Sequence, residues 1–379
     1  MTDSPAERAS GPRRDRPIIG IVGAGLMGSG IAQVALENGH EVVLHDVDAV
    51  ALATGRDRIA DGLTRRATRT VADPAGIDDW VDARLAQLRE TVGLEQLGDE
   101  ADVVIEAALE SLDLKQTLFR ALDAASDPAT ILATNTSALS VAAIAAATVR
   151  PERVIGLHFF NPAPLMALVE VVAAPGTNHK VVTAAQSLIT SWGKTAVRST
   201  DSPGFIVNRV NRPFTLQALR LLEDGSASIE VIDQALREGG FPLGPFELMD
   251  LTGIDVTYAA SSAIFERLGR PERLRPSPIQ EQLIAEGHLG RKAGQGFYRY
   301  DAGRPSGVAA STHVREPDER TSIDGAAIRT RILQAIDAEA RLVAAEGVAS
   351  EADIDLAMRL GANHPEGPFE RIRAAEATS

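Results

Sequence analysis

Between Pro17 and about residue 200, short apolar runs alternate with stretches of helical periodicity. The runs are Pro17–Val22, Glu41–Leu44, Ala101–Ile105, Thr130–Ala133, Val154–Leu157, Leu168–Val172 and Thr195–Val197. Runs of this length separated by helical segments predict an α/β domain built on a mostly parallel sheet. The stretch Ala49–Arg89 is too long for a simple crossover and predicts an insertion of two charged helices, broken at Ala72-Asp73-Pro74. After Asp201-Ser202-Pro203-Gly204 the strand pattern stops, and a period near 3.6 runs through Phe205–Leu222, Ser228–Arg237 and Gly253–Leu268. A separate all-α domain is expected there.

The helical part contains an echo of itself. The segment from Gly225 to Gly240 matches Gly347 to Ala362 at eight of sixteen positions, and Gly244-Pro245-Phe246-Glu247 recurs as Gly367-Pro368-Phe369-Glu370. The second copy is shorter and has no counterpart of Pro203-Gly204-Phe205-Ile206-Val207-Asn208. Its apolar face has to be buried, most simply against the first copy or against a neighbouring chain. The expected organisation is a disordered tail over 1–16, an α/β domain over 17–201 with its insertion at about 49–89, a helical domain over 202–300, a linker over 301–324 and a partial repeat over 325–379.

Composition narrows the chemistry. No run approaches the roughly 18 apolar residues of a membrane helix, and the N-terminus has no apolar leader region, so a soluble cytoplasmic protein with no membrane partner is expected. Cysteine is absent, which removes disulfides, thiolate metal sites and a catalytic thiol together. With no two histidines at helix-face spacing, no metal is expected. A net charge of -14 argues against nucleic acid as a partner, and an anionic substrate would need a local basic cluster.

The first apolar run leads into Gly23-Ala24-Gly25-Leu26-Met27-Gly28-Ser29-Gly30, which opens the helix Leu26–Glu37. In that strand–turn–helix context Gly23 permits a tight turn, Gly25 lets the backbone approach a pyrophosphate and Gly28 lets helix and strand pack closely. The helix N-terminus supplies free N–H groups to the phosphates. Asp46 follows the second strand about 20 residues on, where a carboxylate accepts from the adenosine ribose and repels a 2'-phosphate. The turn therefore predicts a Rossmann-like doubly wound sheet binding NAD, with NADP disfavoured.

Of seven histidines, His158 ends an apolar strand inside that domain. Glu170 lies twelve residues on, within Leu168-Val169-Glu170-Val171-Val172. A carboxylate in such a run is costly to bury unless paired. If the two strands are neighbours, Glu170 can orient the His158 imidazole and stabilise its protonated form. Read alone, His158 could equally be a satisfied structural residue, Ser137 a strand-end turn, Asn208 a helix cap, and Glu110 with Lys115 an exposed helical ion pair.

Taken together, these residues resemble the L-3-hydroxyacyl-CoA and 3-hydroxybutyryl-CoA dehydrogenase family. The similarity runs from about Pro17 to Tyr298, through the glycine turn, Glu110 with Lys115, Asn135-Thr136-Ser137, the segment His158 to Leu165, Glu170, Pro203 to Arg209, and Gly290 to Tyr298. The resemblance implies that His158 is the general base, that Glu170 is its partner, and that Ser137 and Asn208 lie near the substrate oxygen. It implies NAD contacts from the turn residues Gly23, Gly25, Leu26, Met27 and Gly28, from Asp46, and from Glu110, Lys115, Asn161 and Lys292. It also sets the inserted helices beside the CoA nucleotide, where Arg65, Arg66 and Arg69 offer guanidinium groups matched to phosphate, unless they are a solvated face balanced by Asp57 and Asp61. The expected reaction is oxidation of a 3-hydroxyacyl-CoA to its 3-oxo form, or the reverse, by a homodimer associating through the helical domain. The competing readings are a dehydrogenase of a free 3-hydroxyacid, as in gulonate-type enzymes, and a non-catalytic protein that retains the fold.

Overall fold

The computed structural model describes residues 16–309 and 322–378. Most of the expected tail and the middle of the expected linker lie outside the described residues. The α/β domain is built on a sheet of eight strands: β1 Ile19–Val22, β2 Val42–His45, β3 Leu88–Thr91, β4 Val103–Glu106, β5 Ile131–Thr134, β6 Val154–Phe159, β7 Leu168–Ala173 and β8 Thr195–Thr200. Their order is β3-β2-β1-β4-β5-β6-β7-β8. Every neighbouring pair is parallel except β6 with β7, which is antiparallel and sets His158 opposite Glu170. The chain leaves β1 in one direction through β2 and β3, then returns on its other side to β4. A crevice therefore opens at the carboxyl ends of β1 and β4, where doubly wound sheets take ligands.

Both faces of the sheet are covered, which is why its strands read as continuous apolar runs. Ile19 and Ile21 pack with Ile31, Val34, Ile59 and Leu63 on one face, and Ile18 and Val22 pack with Leu97, Phe119 and Leu122 on the other. The insertion consists of the helix Ala49–Thr70, capped by the Asp48 carboxylate, a short turn at Pro74–Gly76 and the helix Ile77–Leu85. Its last residues differ from the sequence reading, because Leu88–Thr91 forms β3. This strand is at the sheet edge and exposes Arg89 and Glu90, so it lacks an apolar signature.

The expected helix Phe205–Leu222 is in fact two, Val207–Val210 and Arg212–Glu223. Pro213 in the first turn of the second helix has no N–H for a continuous ladder, and Phe205 stands outside it at φ 49°. The helices Ile229–Glu238, Pro245–Thr252, Ile254–Arg267 and Pro278–Ala285 complete the first helical unit. The early part of the expected linker forms a hairpin, β9 Tyr298–Asp301 with β10 Arg304–Val308.

The repeat is Gly325–Ala345, Glu351–Gly361 and Pro368–Thr378. Its sequence echo has a physical cause. Asp233 accepts from the backbone N–H of Phe246 at 2.9 Å, and Asp355 accepts from that of Phe369 at 2.7 Å, so in each copy an aspartate caps the next helix. A Cβ on Gly244 or Gly367 would stand 2.3 Å from the capping aspartate, which excludes any other residue there. One hydrophobic core unites the copies, joining Phe214, Ile232 and Phe246 with Ile328, Ile332, Ile354 and Phe369.

Candidate active site

The glycine turn joins β1 to the helix Leu26–Glu37. Gly23 has φ +103°, and a Cβ on Gly28 would stand 1.8 Å from the Gly23 carbonyl oxygen, so both positions require glycine. Gly25 is the N-cap, and a Cβ there would meet nothing within 4 Å, only the open cradle in front of the helix N-terminus. Asp46 lies directly beyond β2. Its Oδ2 accepts from Ala24 N–H and its Oδ1 from Val47 N–H, both at 2.8 Å, so one carboxylate fixes the turn and keeps lone pairs for a further donor. The cavity beside it measures about 460 Å³ and is lined by Gly23, Met27, Asp46, Leu109, Leu114 and Leu118. Free amides, a carboxylate and apolar walls in this order fit the pyrophosphate, ribose and adenine of a dinucleotide.

At the other side of the crevice, His158 Nδ1 and Glu170 Oε2 are 2.6 Å apart across the antiparallel β6–β7 pair. Glu170 is fully buried, and its Oε1 accepts from the backbone N–H groups of Ile206 at 3.0 Å and Val207 at 2.9 Å. A carboxylate so committed is an acceptor for Nδ1–H, which leaves the lone pair of His158 on Nε2. The imidazole packs against Phe160, 4.5 Å between ring centroids, and Phe205, 5.8 Å.

Ser137 and Asn208 meet from different domains. Asn208 Nδ2 donates to the Ser137 carbonyl at 3.3 Å, and Asn208 rides on the turn whose amides Glu170 holds. Glu110 ties the same loop, because its Oε1 accepts from Thr136 Oγ1 at 2.5 Å and Ser137 N–H at 3.1 Å. The ammonium of Lys115 stands 2.6 Å from Glu106 Oε1 and 3.4 Å from Glu110 Oε2. One connected set thus runs from Lys115 through Glu110, Ser137, Asn208 and Glu170 to His158.

Other expected residues fall outside that set. Lys292 pairs with Asp255 in the first turn of the helix Ile254–Arg267, at 2.6 Å. Asn161 is exposed on the loop after β6. Arg65, Arg66 and Arg69 occupy exposed positions on the helix Ala49–Thr70, and Arg66 Nε stands 3.7 Å from Glu37 at the far end of the cofactor helix. Arg66 and Lys194 line a second cavity of about 410 Å³, and Lys194 Nζ pins the loop after His158 through the carbonyls of Ala163 and Met166 at 2.7 and 2.8 Å. Burial lowers the pKa of Lys194.

Sequence reasoning missed Glu106 and Asn135 as organisers. Glu106 is fully buried and also accepts from Thr134 Oγ1 at 2.7 Å, and Asn135 Oδ1 accepts from the Phe159 N–H at 2.8 Å. The signal for Glu106 was available, since a carboxylate closing the apolar run Val103–Glu106 is as conspicuous as Glu170. Among the described residues no cluster of three metal-ligating side chains occurs, and no helix is long and apolar enough to cross a membrane.

Comparison with known proteins agrees with this geometry. The family model for the 3-hydroxyacyl-CoA dehydrogenase NAD binding domain matches residues 18–202. That for the 3-hydroxyacyl-CoA dehydrogenase C-terminal domain matches 204–300 and 328–377, and so includes the repeat. The chain is 45% identical over 291 residues to the 3-hydroxyadipyl-CoA dehydrogenase of Escherichia coli K12, covering 76% of this chain and 60% of that protein. It is 42% identical over 282 residues to the mitochondrial hydroxyacyl-coenzyme A dehydrogenase of Sus scrofa, covering 74% of this chain and 90% of the relative. The crystal structure of the Escherichia coli K12 3-hydroxybutyryl-CoA dehydrogenase superposes with a TM-score of 0.82 at 36% identity, over 93% of this chain and 90% of that one.

Proposed function

Because the chain belongs to the 3-hydroxyacyl-CoA dehydrogenase family, we propose that it oxidises (S)-3-hydroxyacyl-CoA thioesters to 3-oxoacyl-CoA, or reduces 3-oxoacyl-CoA in the reverse direction, with His158 as general base. Its N-terminal domain is an NAD-binding domain. The observation that carries the proposal is the 2.6 Å contact of His158 Nδ1 with a Glu170 whose second oxygen is already filled. That contact holds the imidazole in one tautomer, with Nε2 free to act as the base.

Bound NAD supplies the hydride acceptor at its nicotinamide ring. In oxidation, the C3–H bond breaks as hydride leaves, the C3–O bond becomes a carbonyl, and Nε2 of His158 takes the hydroxyl proton. In reduction, imidazolium returns that proton. Glu170 stabilises the imidazolium, and such general acid–base assistance contributes roughly 10² to 10⁴ in rate. Ser137 and Asn208 hydrogen-bond the C3 oxygen as its charge changes. Phe160 and Phe205 exclude water from the imidazole. Glu110, Asn161 and Lys292 serve the nicotinamide end, and Arg65, Arg66 and Arg69 serve the CoA phosphates on the exposed face of the insertion. The acyl groups are short, of the 3-hydroxybutyryl kind, and the compartment is the cytoplasm.

Self-association through the helical domain belongs to the same proposal. The repeat covers the helix Arg212–Glu223, so a second copy would use the remaining surface, where Leu251 and Val256 are about half exposed. The mass of the full chain in solution reads this directly.

The decisive experiment offers acetoacetyl-CoA and free acetoacetate with NADH. Oxidation of NADH by the thioester alone supports the proposal, and turnover of the free acid alone replaces it with the hydroxyacid reading. His158→Gln should abolish turnover while NADH still binds, and retained activity would remove the base from His158.

A further inference from the structure

The loop that carries Ser137 has its backbone held from two sides. On the α/β side, Glu110 Oε1 accepts from the N–H groups of Ser137 at 3.1 Å and Ala138 at 3.2 Å. Across the crevice, both carbonyls are taken by donors of the helical domain. Asn208 Nδ2 donates to the Ser137 carbonyl at 3.3 Å, and Arg267 Nη1 donates to that of Ala138. All four backbone polar groups of this dipeptide therefore have partners, and among the described residues the Ser137 hydroxyl is its one polar group without one. In a segment outside helix and sheet, so complete an engagement fixes where that hydroxyl stands.

Charge does not explain Arg267. Its side chain is exposed and has no ion pair among the described residues, while its neighbour Glu266 is engaged by Arg270 at 2.8 Å. The helix that carries it, Ile254–Arg267, also braces the turn of Asn208. Ser261 accepts from Arg212 Nη1 at 3.3 Å, four residues after Asn208. Ile264 closes on Gly204, four residues before Asn208, where a Cβ would stand 2.7 Å from the Ile264 side chain. Arg267, three residues further along the same helix, reaches Ala138. One helix thus connects the backbone on either side of Asn208 to the loop of Ser137, and sets the spacing of these two side chains.

We propose that Arg267 is a positioning residue of the substrate-oxygen site, holding Ser137 at a fixed distance from Asn208 so that both hydrogen-bond the C3 oxygen. The inference rests on the thioester reading above, in which Ser137 and Asn208 bind that oxygen. The amide of Asn208 carries two N–H donors, of which the Ser137 carbonyl takes one and leaves the other for the substrate. With Arg267 in place, the 3.3 Å bond from Asn208 does not have to anchor the loop alone. Without it, the Ala138 carbonyl turns to water and a single neutral hydrogen bond ties the loop to the helical domain. A charged donor is the stronger tether, and a displacement of about 1 Å at a binding group can cost up to about 10²-fold in rate. Arg267 acts through the backbone of Ser137 and Ala138, not by contact with the reacting atoms.

The test is a double-mutant cycle of Arg267→Ala and Ser137→Ala in the full-length protein, read as kcat and KM for acetoacetyl-CoA at saturating NADH. Arg267→Ala should lower kcat/KM about tenfold, chiefly through kcat. The dissociation constant for NADH and the urea midpoint should not move, because the side chain is exposed. On the Ser137→Ala background the same substitution should cost less than about twofold, since the hydroxyl it places is gone. Arg267→Lys, which can donate to the same carbonyl, should recover part of the loss. Wild-type kcat/KM in Arg267→Ala, an equal loss on both backgrounds, or a loss that follows a lowered urea midpoint overturns the proposal. Failure of the underlying reading looks different: Ser137→Ala alone then leaves kcat/KM unchanged, or the wild-type protein does not reduce acetoacetyl-CoA.

Discussion

Arg209, the residue after Asn208, is held by Glu346 of the C-terminal repeat, 137 residues downstream, with Nη2 donating to Oε1 at 2.8 Å. Glu339 from the same repeat accepts from Arg209 Nε at 2.8 Å and from Arg273 Nε at 2.7 Å, so one buried carboxylate joins two arginines of the first unit. The repeat also backs the site by contact. A Cβ on Gly361 would lie 2.7 Å from Leu168, at the start of β7, and 2.8 Å from Val207, whose amide Glu170 holds. The repeat is thus part of the wall behind His158.

Glu339→Ala should therefore be destabilising, because it removes the buried carboxylate from Arg209 Nε and leaves that fully buried guanidinium with the half-exposed Glu346 alone. Removing one partner of a buried ion pair costs about 3–5 kcal/mol, whereas Glu346, with its side chain 45% exposed, should matter less. Denaturant unfolding of both variants measures the difference. Deletion of 325–379 should lose the cooperative transition of the helical domain altogether, since it strips Ile328, Ile332 and Ile336 from the shared core. A truncated protein with unchanged stability would show that the repeat is only an appendage.

Glu170→Gln probes the pair itself. The carboxylate accepts three hydrogen bonds, from His158 and from the amides of Ile206 and Val207. A glutamine must turn its NH₂ group toward one of these donors, so either the imidazole tautomer or the turn before Asn208 is disturbed. We expect kcat to fall about 10²–10⁴-fold, with NADH affinity by fluorescence titration little altered. A kcat within about threefold of wild type would mean that Glu170 is structural.

The sequence made some of these relationships legible and hid others, for physical reasons. Seven strands read as apolar runs because helices cover both sheet faces, while β3 is an edge strand whose Arg89 and Glu90 face solvent and imitate a charged helix. Glu170 stood out because a carboxylate in an apolar run needs a partner, and the antiparallel register of β6 and β7 supplies His158. Glu110 and Lys115 looked like an exposed helical pair. The ammonium instead turns inward to Glu106, a choice set by the β4 neighbour and invisible to spacing along one helix. Arg209 and Arg212 are similar in one-dimensional context. Only the fold, by bringing Glu339 and Glu346 to the first and, among the described residues, no carboxylate to the second, separates them.

Cofactor choice should be adjustable at Asp46. Its carboxylate fixes the Ala24 amide and faces the cavity beside the glycine turn. Asp46→Asn keeps an acceptor for that amide but removes the charge that repels a 2'-phosphate. The ratio of kcat/KM for NADH to that for NADPH should fall by about tenfold. Steady-state kinetics with both cofactors measure it, and an unchanged ratio would show that selectivity lies elsewhere.

Acid stability should depend on His364. The ring is buried between the repeat and the first unit, 4.9 Å from Phe241, with Nε2 2.9 Å from the side-chain oxygen of Asn211. Burial, with Arg371 adding to it, lowers its pKa to about 3. Between pH 6.5, where an unfolded histidine protonates, and about pH 3, the unfolded state binds a proton that the folded state refuses. Stability contributed by the neutral ring is thus complete above pH 6.5 and is lost as pH falls through this window, with a slope of up to about 1.4 kcal/mol per pH unit. His364→Gln keeps a donor for Asn211 and cannot titrate. Urea unfolding at intervals from pH 7 to 4 should show a shallower loss for this variant than for wild type, and parallel curves would assign the acid sensitivity to other groups.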